Sequence, residues 1–518
     1  MKCLFVLLLI AFVAESTLAQ TTQECPEWQY LPHYINPNPV IQDTVITNPP
    51  ENDPPPPPES GEKRGIFWVH GLGGDVYGWN RANSATRLGA SGFPARDVIT
   101  ATKGMTYGVN SLIDAGLNLE ESIFYSRAGF EAAGVTDHLQ NYVIAHSQGG
   151  LVSRMADKQY DILDSRTFGG IVTFGTPHGG AQIINSRNSG YIEQFAAEGC
   201  KALGSAELLE VLGQNVSPFI FNVVSNGGLQ LVNGACDLGS ALLPHTLFSE
   251  MNTPITNDYL VGAEELGNLN AHGNPNVQKV AMHGVEYAEG EEPINPKQLM
   301  FRTFSSRSPN TPLPFEADDD DEMVEMANQE TARYLEKYHY YKNRANRFRW
   351  GFLLGIGGIA YNHVKAKRDL KLAEVFWDAY GFMQRADDRW KFIIGAKQWS
   401  PNAPDACMCE WINTLDGWSH FGPNTFVNTP EDCDLFAANY NIPGEYVSCS
   451  WAPGSFVLEA KASDGVVLQE SASAFPGATT HYMDKTNHFQ MRNSSKTKEA
   501  LFKLYEGILD PWFVTNEK

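Results

Sequence analysis

The chain has 518 residues, with 38 Lys and Arg against 60 Asp and Glu, for a formal net charge of −22. Hydrophobic residues make up 42% and charged residues 19%, which supplies apolar area for at least one full core and excludes a disordered or fibrous chain. An acidic surplus of this size argues against nucleic acid as a partner, because that contact needs a basic face that releases counterions.

The first stretch, MKCLFVLLLIAFVAESTLAQ, places Lys2 ahead of an apolar run from Cys3 to Ala14 and ends at the small-residue site Thr17-Leu18-Ala19. This is the pattern of a cleaved signal peptide over residues 1–19, so a secreted or periplasmic protein is expected. Export permits disulfides, and seven cysteines remain after cleavage: Cys25, Cys200, Cys236, Cys407, Cys409, Cys433 and Cys449. The odd count leaves one thiol over, and spacing does not decide the pairing. Cys407-Met-Cys409 lacks a second close pair to complete a tetrahedral site, so no metal is expected. Two sequons, Asn215-Val-Ser and Asn493-Ser-Ser, matter only in a eukaryotic secretory route. Residues 20–62 form an arm closing on PPENDPPPPPESGE, a stiff polyproline spacer ahead of the folded part.

Folding is expected from residue 63 onward. Ile66-Phe67-Trp68-Val69 runs into His70-Gly71-Leu72-Gly73-Gly74, a buried strand ending in a glycine loop. Similar runs at Tyr142–Ala145 and Ile171–Phe174, separated by helix-like spans, predict an α/β fold with a parallel sheet covered on both faces. Further on, Val324, Ala327, Thr331, Tyr334, Tyr338, Tyr341, Ala345 and Phe348 mark one face of a long helix. Asp318–Asp321 before it and Lys342, Arg344, Arg347 and Arg349 near its end complement the helix dipole, and the acid run lacks the alternating loop of a calcium site. Trp350–Tyr361 is the most apolar later segment. At 12 residues it falls short of the roughly 20 a bilayer demands and reads as a buried helix.

Chemistry concentrates at Ala145-His146-Ser147-Gln148-Gly149-Gly150, between a strand and the helix-like Leu151–Met155. A serine at a strand-to-helix corner needs small residues two positions away on each side, because the turn brings the flanking backbones together; Ala145 and Gly149 meet that need. Together with HGLGG and Phe174-Gly175-Thr176-Pro177-His178-Gly179-Gly180, this motif resembles an α/β-hydrolase of the secreted lipase/esterase type. Similar signatures occur in triacylglycerol lipases and in lipase-like relatives of inositol deacylases. The resemblance spans residues 65–180 and returns in two C-terminal motifs. It implies Ser147 as nucleophile, with acid and base following in the order Ser, acid, His. Ser463-Asp464-Gly465-Val466-Val467 resembles the acid loop and Asn487-His488-Phe489-Gln490-Met491 the histidine loop, which assigns Asp464 and His488. The backbone N–H groups of Leu72 and Gln148 are the implied oxyanion donors, and no cofactor is required. Asp484 is the rival acid, set back because it shares the histidine's own segment; His146, His178 and His481 are the rival bases.

The remaining length falls between nucleophile and acid, as mainly helical insertions at about 185–275 and 288–455 within a single hydrolase domain over 63–518, with a strand at Val277–Val285 between them. Leu208–Leu212 and Phe219–Val224 give the first insertion apolar surface, which a Cys200–Cys236 disulfide would close. The expected arrangement is a lid whose apolar face meets lipid-like acyl chains, in transient contact with a lipid interface. The expected reaction is cleavage of carboxylic esters through an acyl-enzyme on Ser147. The rivals are acyl transfer or amide cleavage by the same chemistry and, in another class, a catalytically silent binding protein, which the presence of all three triad members disfavours.

Overall fold

The computed structural model describes residues 63–72, 74, 79, 82, 98–103, 110–163, 166–215, 217, 218, 221, 225, 253–286, 298–305, 322–353, 359–400, 406–413, 419–423, 429–439, 445–452, 457–492 and 494–515. The signal peptide, the proline arm, the acid run Asp318–Asp321, the cysteines Cys25 and Cys236 and the sequon residue Asn493 lie outside the described residues.

In chain order the elements are β1 Arg64–Val69, β2 Val98–Lys103, α1 Leu112–Phe124, β3 Tyr142–His146, α2 Gln148–Leu163, β4 Gly170–Phe174, α3 Gln182–Asn188, α4 Tyr191–Asn215, α5 Glu264–His272 and β5 Gln278–Val285. Then follow α6 Gln298–Ser305, α7 Glu322–Leu353, α8 Ile359–Ile394, β6 Lys397–Ser400, β7 Ala406–Asn413, β8 Ser419–Pro423, α9 Pro430–Asn439, β9 Glu445–Ala452, β10 Val457–Ala460, β11 Thr479–Asp484 and α10 Ser495–Tyr505. Among the described residues six strands form one sheet in the order β11-β5-β4-β3-β1-β2, and every neighbouring pair is parallel.

Strict alternation along the central strands explains why both faces are dry. Phe67, Val69, Val143, Ala145 and Ile171 point to one face, where α1 and α2 bury them; Ile66, Trp68, Tyr142, Ile144, Val172 and Phe174 point to the other, against α10 and Trp512–Phe513. Fully apolar strands are what a sheet covered twice requires. The expected strand at Val277–Val285 is β5, in the sheet between β4 and β11. β2 escaped the sequence reading because Thr100, Thr102 and Lys103 break the apolar run, as an edge strand permits.

The segment between β5 and the acid loop carries two further units. Helices α7 and α8 form an antiparallel hairpin: Tyr338 meets Trp377 with ring centroids 4.7 Å apart, Tyr341 stacks on Phe376 at 5.6 Å, and Arg344 forks onto Asp369. The predicted stripe from Val324 to Ala345 is buried along this seam. The second unit is an antiparallel sheet, β8-β7-β9, stapled by disulfides Cys407–Cys433 and Cys409–Cys449. The sulfurs of Cys407, Cys409 and Cys449 cluster within 4.8 Å, and both disulfides draw on that cluster, so its sulfurs are not thiolates offered to a metal. Cys200 is also disulfide-bonded. The insertions are mainly helical, with a small disulfide-stapled β module among the described residues.

One expectation is corrected. Trp350–Tyr361 is not a buried helix: Trp350 is 65% exposed and Leu353 69% exposed at the end of α7, and Tyr361 is 46% exposed near the start of α8. These residues sit where α7 ends and α8 begins, beyond the seam that buries the stripe. Residues 354–358 lie outside the described residues.

Candidate active site

Ser147 follows β3 directly and precedes α2, with φ of 54°, a left-handed backbone that a β-carbon strains against. Three hydrogen bonds hold it there. Its N–H donates to the Phe174 carbonyl (2.9 Å), and its own carbonyl accepts from Gly150 N–H (3.1 Å) and the Thr176 hydroxyl (2.8 Å). The corner leaves no room beside it: a β-carbon at Gly149 would lie 2.3 Å from the His70 carbonyl oxygen. The HGLGG loop presses on the same corner, since a β-carbon at Gly71 would stand 2.7 Å from that of Ser147. Gly74 N–H closes this loop on the Gly71 carbonyl at 3.0 Å, with half-buried Leu72 inside the turn. Gln148 opens α2, where first-turn N–H groups have no partner within the helix.

The acid and histidine loops meet just beyond β4, where a β-carbon at Gly175 would lie 3.0 Å from His488 Nδ1 and 3.1 Å from Asp464 Oδ2. His488 Nδ1 lies 2.8 Å from Asp464 Oδ2, and both side chains are buried. The carboxylate accepts at that oxygen, so Nδ1 carries the proton and Nε2 is left as the basic nitrogen. Asp464 Oδ1 accepts from Val466 N–H (2.9 Å) and Val467 N–H (2.6 Å), and its backbone carbonyl accepts from His488 N–H (2.8 Å). Gly465 carries the turn at φ of 88°. Asn487 fixes the histidine loop through its side-chain oxygen, which accepts from Phe489 and Gln490 N–H.

His146 joins the two halves. Its Nε2–H donates to the His488 carbonyl at 2.8 Å, and the two imidazoles pack 4.6 Å apart. Burial, and then the neighbouring His488, push its pKa well below the usual imidazole range, so the ring is neutral and serves as a fixed donor. His178 is engaged elsewhere: Arg154 donates to its Nδ1 (3.0 Å), its Nε2–H faces Thr173 Oγ1 (3.0 Å), and it stacks on Phe475. His481 lies on β11, bonded to the backbone of Leu509. Asp484, at the end of β11, is exposed.

Sequence reading did not find a second ring of groups around the pair. Trp390 on α8 donates its indole N–H to the Gly465 carbonyl at 2.8 Å, and Thr303 on α6 packs against the same glycine. Arg302 Nε lies 3.0 Å from Glu286 Oε2, both buried, and Arg302's carbonyl accepts from Asn487 Nδ2 at 3.1 Å. Burial pushes the Glu286 carboxyl up to about 7 against the pull of Arg302. These contacts cross 75 and 185 residues of chain, which no local motif announces.

The parallel sheet order, the serine at the strand-to-helix corner and the acid and histidine loops beyond it are the arrangement of an α/β-hydrolase fold. No family model and no curated relative matches the chain. Among solved structures, the mature form of a Bacillus licheniformis lipase matches at 16% identity over 47% of this chain and 71% of that one, with a TM-score of 0.24. A Legionella pneumophila phospholipase matches at 10% identity over 44% of this chain and 40% of that one, TM-score 0.26. An Aspergillus fumigatus lipase matches at 17% identity over 23% and 26%, TM-score 0.18.

Proposed function

We propose that the protein is a secreted serine hydrolase of carboxylic esters, lipase-like in substrate, acting through Ser147, Asp464 and His488. The observation that carries this reading is the buried Asp464–His488 pair, tied by His146 to the strand that leads into Ser147. Ser147 Oγ attacks the ester carbonyl carbon while its proton passes to His488 Nε2, and Asp464 stabilises the imidazolium that forms. The carbonyl oxygen takes up the developing charge beside the N–H groups of Leu72 and Gln148. When the tetrahedral species collapses, the alcohol leaves with the proton from His488. Water then repeats the sequence on the acyl-enzyme and restores the serine.

Export is supported by the start of the sequence and by the disulfides of the β module. The insertions are assigned the lid, with an apolar face toward acyl chains. A series of nitrophenyl esters tests substrate class: turnover that rises or holds from butyrate to long acyl chains supports a lipid-like substrate. Turnover confined to acetate would refute it.

A further inference from the structure

The end of the α7–α8 hairpin combines two features that rarely share a surface. Trp350, Leu353 and Tyr361 are exposed there, whereas among the described tryptophans Trp68, Trp79, Trp390 and Trp512 are buried and Trp377 and Trp451 half-buried. Around them the charge balance inverts. From Lys337 to Arg368 the chain carries eight Lys and Arg and no Asp or Glu, whereas the whole protein has 38 basic against 60 acidic residues. Arg344 and Arg368 pair with Asp369 within the hairpin, and Lys337 pairs with Glu210 on α4, so these three serve the fold. Arg347, Arg349 and Lys367 are exposed and make no ion pair among the described residues. Lys365 lays its ammonium over the rings of Phe348 and Tyr361, at 5.0 and 4.2 Å from their centroids, joining collar to tip.

We propose that this hairpin tip is a docking site for an anionic lipid surface. Tryptophan and tyrosine settle at the headgroup level, and lysine and arginine reach from apolar stems toward lipid phosphates. Neither helix is long and apolar enough to cross a membrane, so contact is shallow. The protein's net charge of −22 does not oppose it: at physiological salt, charges beyond about 8 Å are screened, and the tip presents Arg347, Arg349 and Lys367, three exposed cations with no ion pair among the described residues. A second copy fits less well, because tip-to-tip contact would oppose like-charged collars.

The tip is also separate from the candidate active site. Trp390, which bonds to the acid loop, lies 29 residues along α8 from Tyr361, about 44 Å at the helical rise. Docking there is an anchor and not a gate over Ser147. Its loss should therefore leave turnover of a soluble ester unchanged.

The test is co-sedimentation of the full protein with vesicles of phosphatidylcholine alone or mixed with phosphatidylglycerol, at low and high salt. Preferential binding to the mixed vesicles, weakened by salt, is expected. Arg347→Glu with Arg349→Glu should lower that partition by about ten-fold or more. Trp350→Ser with Leu353→Ser should lower it on both vesicle types. All four positions are exposed, so circular dichroism and Tm should not move, and binding is read without reference to catalysis. Absence of wild-type binding to the mixed vesicles, or binding by both double variants equal to that of the wild type, would overturn the proposal. Self-association that the Trp350→Ser variant abolishes, without vesicle binding, would overturn it in favour of a second copy.

Discussion

The parallel-sheet core and the α6–α8 segment inserted into it hold together by different means. In the core, alternating apolar side chains bury both faces of the sheet, and glycines let Ser147's corner close on the HGLGG loop. In the insertion, aromatic stacking along the α7–α8 seam is laced with ion pairs, such as Arg333 among Glu207, Glu210 and Glu330, and Arg344 on Asp369. Yet the insertion does not merely sit on the core. Trp390, Thr303 and Arg302 reach the acid and histidine loops, so a region absent from the recognisable motifs braces the pair those motifs supply.

Removing the core's contribution should cost most. Asp464→Asn leaves the loop's shape but presents the wrong partner to His488 Nδ1, and kcat on a soluble ester is expected to fall by about 10⁴. The insertion's bracing should cost less. Trp390→Phe removes one hydrogen bond to Gly465, worth about 1 kcal/mol, and kcat should fall by roughly five- to ten-fold with little change in KM. Equal losses in the two variants would erase the distinction between chemistry and bracing.

Opening the Cys409–Cys449 disulfide by Cys409→Ser with Cys449→Ser should lower the unfolding free energy by about 2–4 kcal/mol. That module has its own apolar cluster, so ester turnover at low temperature should persist. A loss of turnover comparable to Trp390→Phe would place the module within the brace.

The smallest effect concerns pH. Glu286 binds its proton up to about pH 7 in the folded protein against about 4.5 when exposed, so between these values the native state holds more protons. Stability from this group is therefore greatest in acid and falls as pH rises through that window. Tm of the wild type should drop by a few degrees from pH 5 to pH 8 relative to Glu286→Gln, whose neutral side chain has no such step. Parallel pH profiles for the two would show that burial does not hold the carboxyl neutral.

What could be read from the chain follows the range of the interactions. Ser147, Leu72, Asp464 and His488 stand in short motifs whose chemistry is local, and the structure brings Asp464 and His488 to 2.8 Å. Disulfide connectivity, the His146 link to the His488 carbonyl and the Trp390 contact join distant residues, and periodicity carries no trace of them. Trp350–Tyr361 failed for another reason. Apolar content alone favoured burial, whereas Trp350, Leu353 and Tyr361 are exposed where α7 ends and α8 begins, beyond the aromatic seam.

Covalent labelling with a fluorophosphonate, with the modified residue located by mass spectrometry, tests the central assignment most directly. Wild-type protein should be labelled at Ser147 with loss of ester turnover, and Ser147→Ala should take up no label. Labelling of Ser147→Ala equal to wild type, or an unlabelled wild type, would contradict the assignment of Ser147 as the nucleophile.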